Sequence, residues 1–203
     1  MVMSEHYYSK QPQIESDVRK WNTELAGLSF SFTTDRGVFS KGEVDFGSRF
    51  LIEEMIVPST VGPILDVGCG YGPIGLTLAR KNSERDVTMV DVNERALLLS
   101  QINAEENGVN NVKVYQSNGF EKVKENNFAL IVTNPPIRAG KKVVHDILEQ
   151  AYEHLKPLGE LWVVIQKKQG APSAIEKLNE VFGQSEVYKK KKGYYLIVAK
   201  KID

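Results

Sequence analysis

Residues 131–142, IVTNPPIRAGKK, set a carboxamide and two prolines directly behind an apolar run, with an arginine and two lysines just beyond. Proline fixes φ, lacks a backbone donor, and pushes the residue before it into extended geometry. Asn134 and Pro135 therefore make a stiff corner that offers acceptors, the carboxamide oxygen and a main-chain carbonyl. A ligand group that carries N–H donors would meet those acceptors, with the cations of Arg138, Lys141 and Lys142 just beyond.

A second group lies upstream. DVGCGYGPIG, 66–75, carries Gly68, Gly70 and Gly72 after an apolar run. A dinucleotide loop reads G-x-G-x-x-G, but counting from Gly68 puts Pro73 where the third glycine belongs; no Lys-Ser/Thr makes a P-loop either. Asp66 stands just before the loop, where a carboxylate repels pyrophosphate and suits an ammonium group. Asp91 ends the next apolar run, 21 residues past Gly70, where an acidic side chain accepts ribose hydroxyls. SNGF, 117–120, places Asn118 to meet an adenine edge. A cationic nucleoside with an amino-acid tail satisfies all of these, which points to S-adenosylmethionine as cofactor.

The elements that must position these residues can be read from the runs themselves. ILDV, VTMVDV, VKVY, FALIVT and LWVVI alternate with segments of helical spacing, such as Val144, Ile147, Leu148, Ala151 and Leu155. Strands without internal polar alternation imply a parallel sheet covered on both faces. SEVYKKKKGYYLIVAK ends the chain as strand, lysine-rich turn and strand, with Lys189–Lys192 capping the turn. The expected fold is a doubly wound, mostly parallel, seven-stranded Rossmann-like sheet with an antiparallel C-terminal strand. Residues 1–45 are expected to be a loose polar tail (1–16), a β-hairpin over 19–33 and a loop, all packed on a catalytic domain over 46–203. A helix is expected over 50–57. Ligands of such sheets sit past the strand C-termini, and there the residues above fall.

Composition bounds the rest. With 203 residues, 41% hydrophobic and 26% charged, the chain can build one sizeable domain. No apolar run approaches a membrane span or a signal core, so a cytoplasmic location is expected. One cysteine, Cys69, excludes an internal disulfide, and its expected role is a small buried filler; His6, His145 and His154 lack metal-ligand spacing. Residues 1–133 carry 13 basic and 18 acidic side chains, residues 134–203 carry 13 and 8, and the sign changes at the Asn-Pro-Pro corner. Arg138, Lys141, Lys142, Lys167 and Lys168 follow two strand ends and could meet phosphates.

ILDVGCGYGPIG, VDVN, SNGF and NPPI, in this order, resemble the class I SAM-dependent methyltransferases that carry an N-P-P motif. With GVFSKGEVDFGS upstream and NPPIRAGK downstream, the chain resembles the small-domain methyltransferase family, whose type is a 16S rRNA guanine-N2 methyltransferase. The resemblance implies that Asp66, Gly68, Gly70 and Gly72 hold the methionine part, Asp91 the ribose and Asn118 the adenine. Asn134 would border both ligands, and with Pro135 it would be catalytic, holding the target amine. An exocyclic base amine is a poor nucleophile because its lone pair is delocalised into the ring; two acceptors for its N–H groups would favour a pyramidal nitrogen, and aligning it with the methyl could supply up to ~7–11 kcal/mol of the barrier. Pro136, Ile137, Arg138 and Lys141 would surround the incoming substrate. It also implies a ribosomal RNA or small-subunit substrate, with a homodimer as a further expectation. Ile137 departs from the aromatic residue common at that position of the motif. Known members also carry a degenerate second domain, which 203 residues leave no room for. The alternatives weighed are a protein glutamine N-methyltransferase, a DNA adenine methyltransferase, and a SAM- or RNA-binding module without catalysis.

Overall fold

The structure, a computed structural model, describes residues 15–38 and 42–203; most of the expected loose tail, and His6 with it, lies outside these residues. Strands β1 (Arg19–Leu25) and β2 (Leu28–Thr34) form the expected hairpin. Ala26 and Gly27 turn it, both with positive φ (48° and 77°), the geometry that matches strand twist in two-residue hairpins. Leu25, Phe30 and Phe32 are buried and join the main core. The outer edge of β2 meets side chains of helix α3 (Glu94–Glu106) and its C-cap. Asn103 accepts from Thr33 N (2.7 Å) and donates to Thr33 O (3.0 Å), and Asn107 does the same with Ser31 (2.9 and 2.8 Å).

Helix α1 spans Phe46–Glu54, starting four residues before the expected 50–57 and ending before Pro58. Its glycine-punctuated lead-in reads as loop, yet Asp45 caps the helix, its side chain accepting from Ser48 N at 3.0 Å.

The remaining strands are β3 (Ile64–Val67), β4 (Val87–Asp91), β5 (Val112–Gln116), β6 (Phe128–Thr133), β7 (Leu155–Gln166), β8 (Glu186–Lys191) and β9 (Tyr194–Lys200). They form one sheet in the order β5-β4-β3-β6-β7-β9-β8, parallel from β5 to β7, with β9 antiparallel to both its neighbours. Helices α2 (Pro73–Lys81) and α3 join α1 and the hairpin in one apolar layer; α4 (Lys141–His154) and α5 (Ala171–Phe182) form the other. Alternate residues of each strand feed opposite layers. In β7, Trp162 and Val164 serve the first layer, and Leu161, Val163 and Ile165 the second. FALIVT is accordingly buried at every position.

The lysine run is strand more than turn. Lys189–Lys191 lie in the edge strand β8, and only Lys192 and Gly193, with φ of 47° and 79°, make the turn. Lys189 and Lys191 both pair with Glu54 of α1. Lysines along an edge strand also discourage pairing with a further strand.

Candidate active site

From β3 the sheet extends one way through β4 and β5, and the other way through β6. Connections leaving β3 and β6 diverge above their C-terminal ends, which opens a crevice between them. Thr133 Oγ1 donates to Val67 O at 2.8 Å and ties the two strand ends together at its floor. A cavity occupies this position, with the glycine loop and Asp91 on one side and the Asn-Pro-Pro corner on the other.

On the glycine-loop side, Gly68, Gly70, Asp91, Ser117 and Gly119 reach the wall. Gly70 has φ of 57°, and a Cβ there would meet nothing within 4 Å, so the bare main chain faces the opening. Its N–H donates to Asp91 Oδ2 at 2.8 Å, while Asp91 Oδ1 accepts from Asn93 N at 2.9 Å. Burial pushes the Asp91 carboxyl up, against the pull of the Asn93, Gly70 and Val92 N–H groups. Burial also holds the Cys69 thiol well above its usual range, reinforced by the charges of Asp91 and Asp66, so it stays a neutral buried filler.

The other side is assembled from distant segments. Asn134, Pro135, Pro136, Ile137 and Arg138 line it, joined by Asp45 and Ser48 at the start of α1 and by Tyr194 at the start of β9. Asn134 Nδ2 donates to Asp45 Oδ1 (3.0 Å) and to Ser48 Oγ (3.1 Å). No described residue donates to its carboxamide oxygen or to the Pro135 carbonyl. Gly47 permits this assembly: a Cβ there would lie 3.0 Å from Tyr194 Cε1 and 3.3 Å from Asn134 Nδ2. The Tyr194 ring packs on Phe46 with centroids 5.2 Å apart, and Gln166 pairs with it across β7 and β9.

Asp66, Gly72, Asn118 and Lys141 do not reach this wall. Asp66 is fully buried beneath the loop, with Oδ2 accepting from Gly75 N at 2.8 Å and Oδ1 without a partner. Burial, and secondarily the charge of Asp91, pushes its carboxyl up to about 7. Gly72 packs against Leu76 and Met89. Asn118 is exposed and donates to Glu121 at 2.9 Å, leaving Ser117 and Gly119 at the cavity. Lys141 borders a smaller groove next door, between the starts of α4 and α5. Sequence reasoning missed Asp45, Ser48, Gln166 and Tyr194. The Asp-Phe-Gly-Ser spacing of a helix cap could have drawn attention to the first two.

The wall's chemistry discriminates between ligands. Asp45 and Asp91 are its carboxylates, and among the described residues that line it Arg138, on the acceptor side, is the lone base. A pyrophosphate would find no cation beside the glycine loop, whereas a sulfonium, an ammonium and ribose hydroxyls find acceptors.

A doubly wound sheet with an inserted antiparallel β9, a glycine loop, a strand-end Asp91 and an acceptor corner after β6 define a class I SAM-dependent methyltransferase. Comparison with known proteins gives the family: the methyltransferase small domain model matches residues 29–198, and the chain belongs to that family. It is 61% identical over 201 residues to the uncharacterized protein YbxB of Bacillus subtilis, covering 98% of this chain and 100% of that one. It is 32% identical over 187 residues to ribosomal RNA small subunit methyltransferase C of Vibrio parahaemolyticus, covering 90% of this chain and 53% of the relative. Among solved structures, the T. thermophilus 16S rRNA N2 G1207 methyltransferase (RsmC), in complex with AdoMet and guanosine, superposes with a TM-score of 0.81. The two are 28% identical, over 94% of this chain and 52% of that one. The chain thus spans about half the length of the RsmC relatives it matches.

Proposed function

We propose that the protein transfers a methyl group from S-adenosylmethionine to an exocyclic amine of an RNA base, guanine N2 of small-subunit ribosomal RNA. The observation that carries this reading is the pair of vacant acceptors, Asn134 Oδ1 and the Pro135 carbonyl, on a wall shared with Asp91 and the glycine loop. The RsmC relatives, one solved with AdoMet and guanosine, favour guanine as the base.

Bound SAM supplies an electrophilic methyl on a sulfonium. Asp91 accepts hydrogen bonds from the ribose hydroxyls, and the open main chain at Gly68 and Gly70 lets the methionine part lie against it. Asn134 Oδ1 and Pro135 O take the two amine hydrogens, localise the nitrogen lone pair and aim it into the cavity. Pro135 and Pro136 keep that corner from flexing. No strong base is required, since the methylated amine is acidic enough to lose its proton to water. Pro136 and Ile137 offer apolar contact, and Tyr194 supplies the aromatic face that position 137 lacks. A base in this cavity must be single-stranded or turned out of its stack. Arg138, Lys141, Lys142, Lys167 and Lys168 make no ion pair among the described residues and follow the ends of β6 and β7; in this reading they meet the flanking phosphates. Residues 46–203 form the methyl-transfer domain with 1–45 as its appendage, and the protein works on cytoplasmic ribosomal RNA or the small subunit.

The test is nucleoside mass spectrometry of small-subunit rRNA from a strain lacking the gene, before and after incubation with purified protein and labelled SAM. Appearance of N2-methylguanosine is the expected result. Label found only in protein glutamine, or only in another nucleoside, overturns the assignment.

A further inference from the structure

A carboxamide can present either end to a substrate. Turned one way, Asn134 offers the oxygen that an amine needs; turned the other way, it offers N–H groups that oppose the amine's own. Nothing in the Asn-Pro-Pro corner decides between them. The decision comes from α1. Asp45 Oδ1, a carboxylate oxygen that can only accept, takes one hydrogen of Nδ2 at 3.0 Å, and Ser48 Oγ takes the other at 3.1 Å. Two acceptors match two amide hydrogens and leave the oxygen as the end that remains. The same Asp45 oxygen caps α1 by accepting from Ser48 N at 3.0 Å, so the helix start and the carboxamide are held by one atom.

We infer that Asp45 and Ser48 are positioning residues for methyl transfer, fixing Asn134 with its oxygen toward the target amine; this rests on the N-methyltransferase reading above. The carboxylate does more than orient. A hydrogen bond to a charged acceptor is shorter and stronger than a neutral one, and linked hydrogen bonds polarise one another. Asp45 therefore draws its amide hydrogen forward and enriches the oxygen at the opposite end of the carboxamide. Ser48 is buried, which keeps water from competing for the same hydrogens. Gly47, between the two, has no room for a side chain: a Cβ would stand 3.2 Å from Asp45 Oδ1 and 3.3 Å from Asn134 Nδ2.

Capping and positioning can be separated. Asp45→Ser retains a good N-cap residue while withdrawing the carboxylate from Asn134, and Ser48→Ala leaves the cap intact while deleting the other acceptor. Each should lower kcat roughly tenfold or more, with SAM affinity and the unfolding midpoint close to wild type. Asp45→Asn, whose oxygen has the same reach, should recover much of the turnover lost in Asp45→Ser. The decisive comparison is the double variant: Asp45→Ser combined with Asn134→Ala should be no slower than Asn134→Ala alone, because no carboxamide is left to orient. Equal loss in both backgrounds, or wild-type turnover in Asp45→Ser, overturns the inference. Wild-type turnover in Asn134→Ala itself would instead overturn the acceptor role proposed above.

Discussion

The two sides of the cavity are held by contacts of different reach. On the glycine-loop side, Asp91 takes the N–H of Asn93 two residues on and that of Gly70 21 residues back, and Asp66 takes that of Gly75 nine residues on. On the acceptor side, Asn134 is fixed by Asp45 and Ser48, 89 and 86 residues away. The first side is held within neighbouring βα units, whereas the second needs α1, β6 and β9 together. Cofactor binding should therefore survive perturbations that abolish transfer, and the converse should not hold.

The strongest way to break that contrast is to cut one group from each side. Asn134→Ala should lower turnover by roughly a hundredfold or more, the scale seen when one preorganised polar group is removed from a reacting centre, while SAM affinity by calorimetry stays near wild type. Asp91→Ala should act on affinity instead. It removes a buried charged acceptor worth ~1.5–3 kcal/mol, so SAM binding should weaken about ten- to over a hundredfold. If Asn134→Ala lost SAM affinity and kept its saturated turnover, the two sides would have to be redrawn. A smaller effect is expected from Tyr194→Ala. Loss of one stacked base, about 1–3 kcal/mol, should raise the KM for RNA with little change in SAM binding. Tyr194→Phe should retain the stacking, and equal damage from both variants would assign Tyr194's role to its hydroxyl.

Smaller still, replacing Lys141 and Lys142 by Gln should reduce the slope of log affinity for RNA against log salt by about 1.4, at ~0.7 per phosphate on a single strand. An unchanged slope would return these lysines to solvent. A separate effect concerns stability alone. The Asp66 carboxyl is raised in the fold from 3.8 to about 7, so the native state disfavours its charge. Its contribution is complete below pH 3.8 and is lost as pH rises through about 7, because the unfolded chain ionises first. Asp66→Asn never ionises. Urea unfolding of the two proteins should diverge across that window in the variant's favour and then run parallel, whereas parallel curves throughout would mean that the buried carboxyl ionises freely.

The same difference in reach explains what could be read from the chain. ILDV, VTMVDV and FALIVT announce buried parallel strands by composition alone, and Gly68, Gly70 and Asp91 are legible as a strand-end cluster because their partners lie within one or two βα units. At 117–119 the turn is legible, but which of its residues line the cavity is not: Ser117 and Gly119 do, while Asn118 is exposed and donates to Glu121. Asp66 is visible as a carboxylate before the loop, yet nothing local tells that Gly75 and Met89 bury it. Asp45, Ser48 and Tyr194 do not announce a place in the site, for a different reason. A helix cap and a strand-start tyrosine have sufficient local reasons to exist, and only tertiary assembly brings them to Asn134.

Where Asn103 and Asn107 meet β2, a helix stands in for a strand. Positions four apart on a helix rise by about 6 Å, and positions two apart on a strand advance by about 6.6 Å. The two repeats nearly coincide over one interval, so Asn103 fits Thr33 and Asn107 fits Ser31 with paired bonds of 2.7–3.0 Å. Over further intervals the mismatch accumulates, and the next helical position up, residue 99, is a leucine. The joint is therefore a vernier with two matching marks: long enough to set the hairpin's register, too short to let it slide to the next. Asn103 also donates to Tyr71 O at 2.8 Å, so the register set on the hairpin is passed directly to the glycine loop.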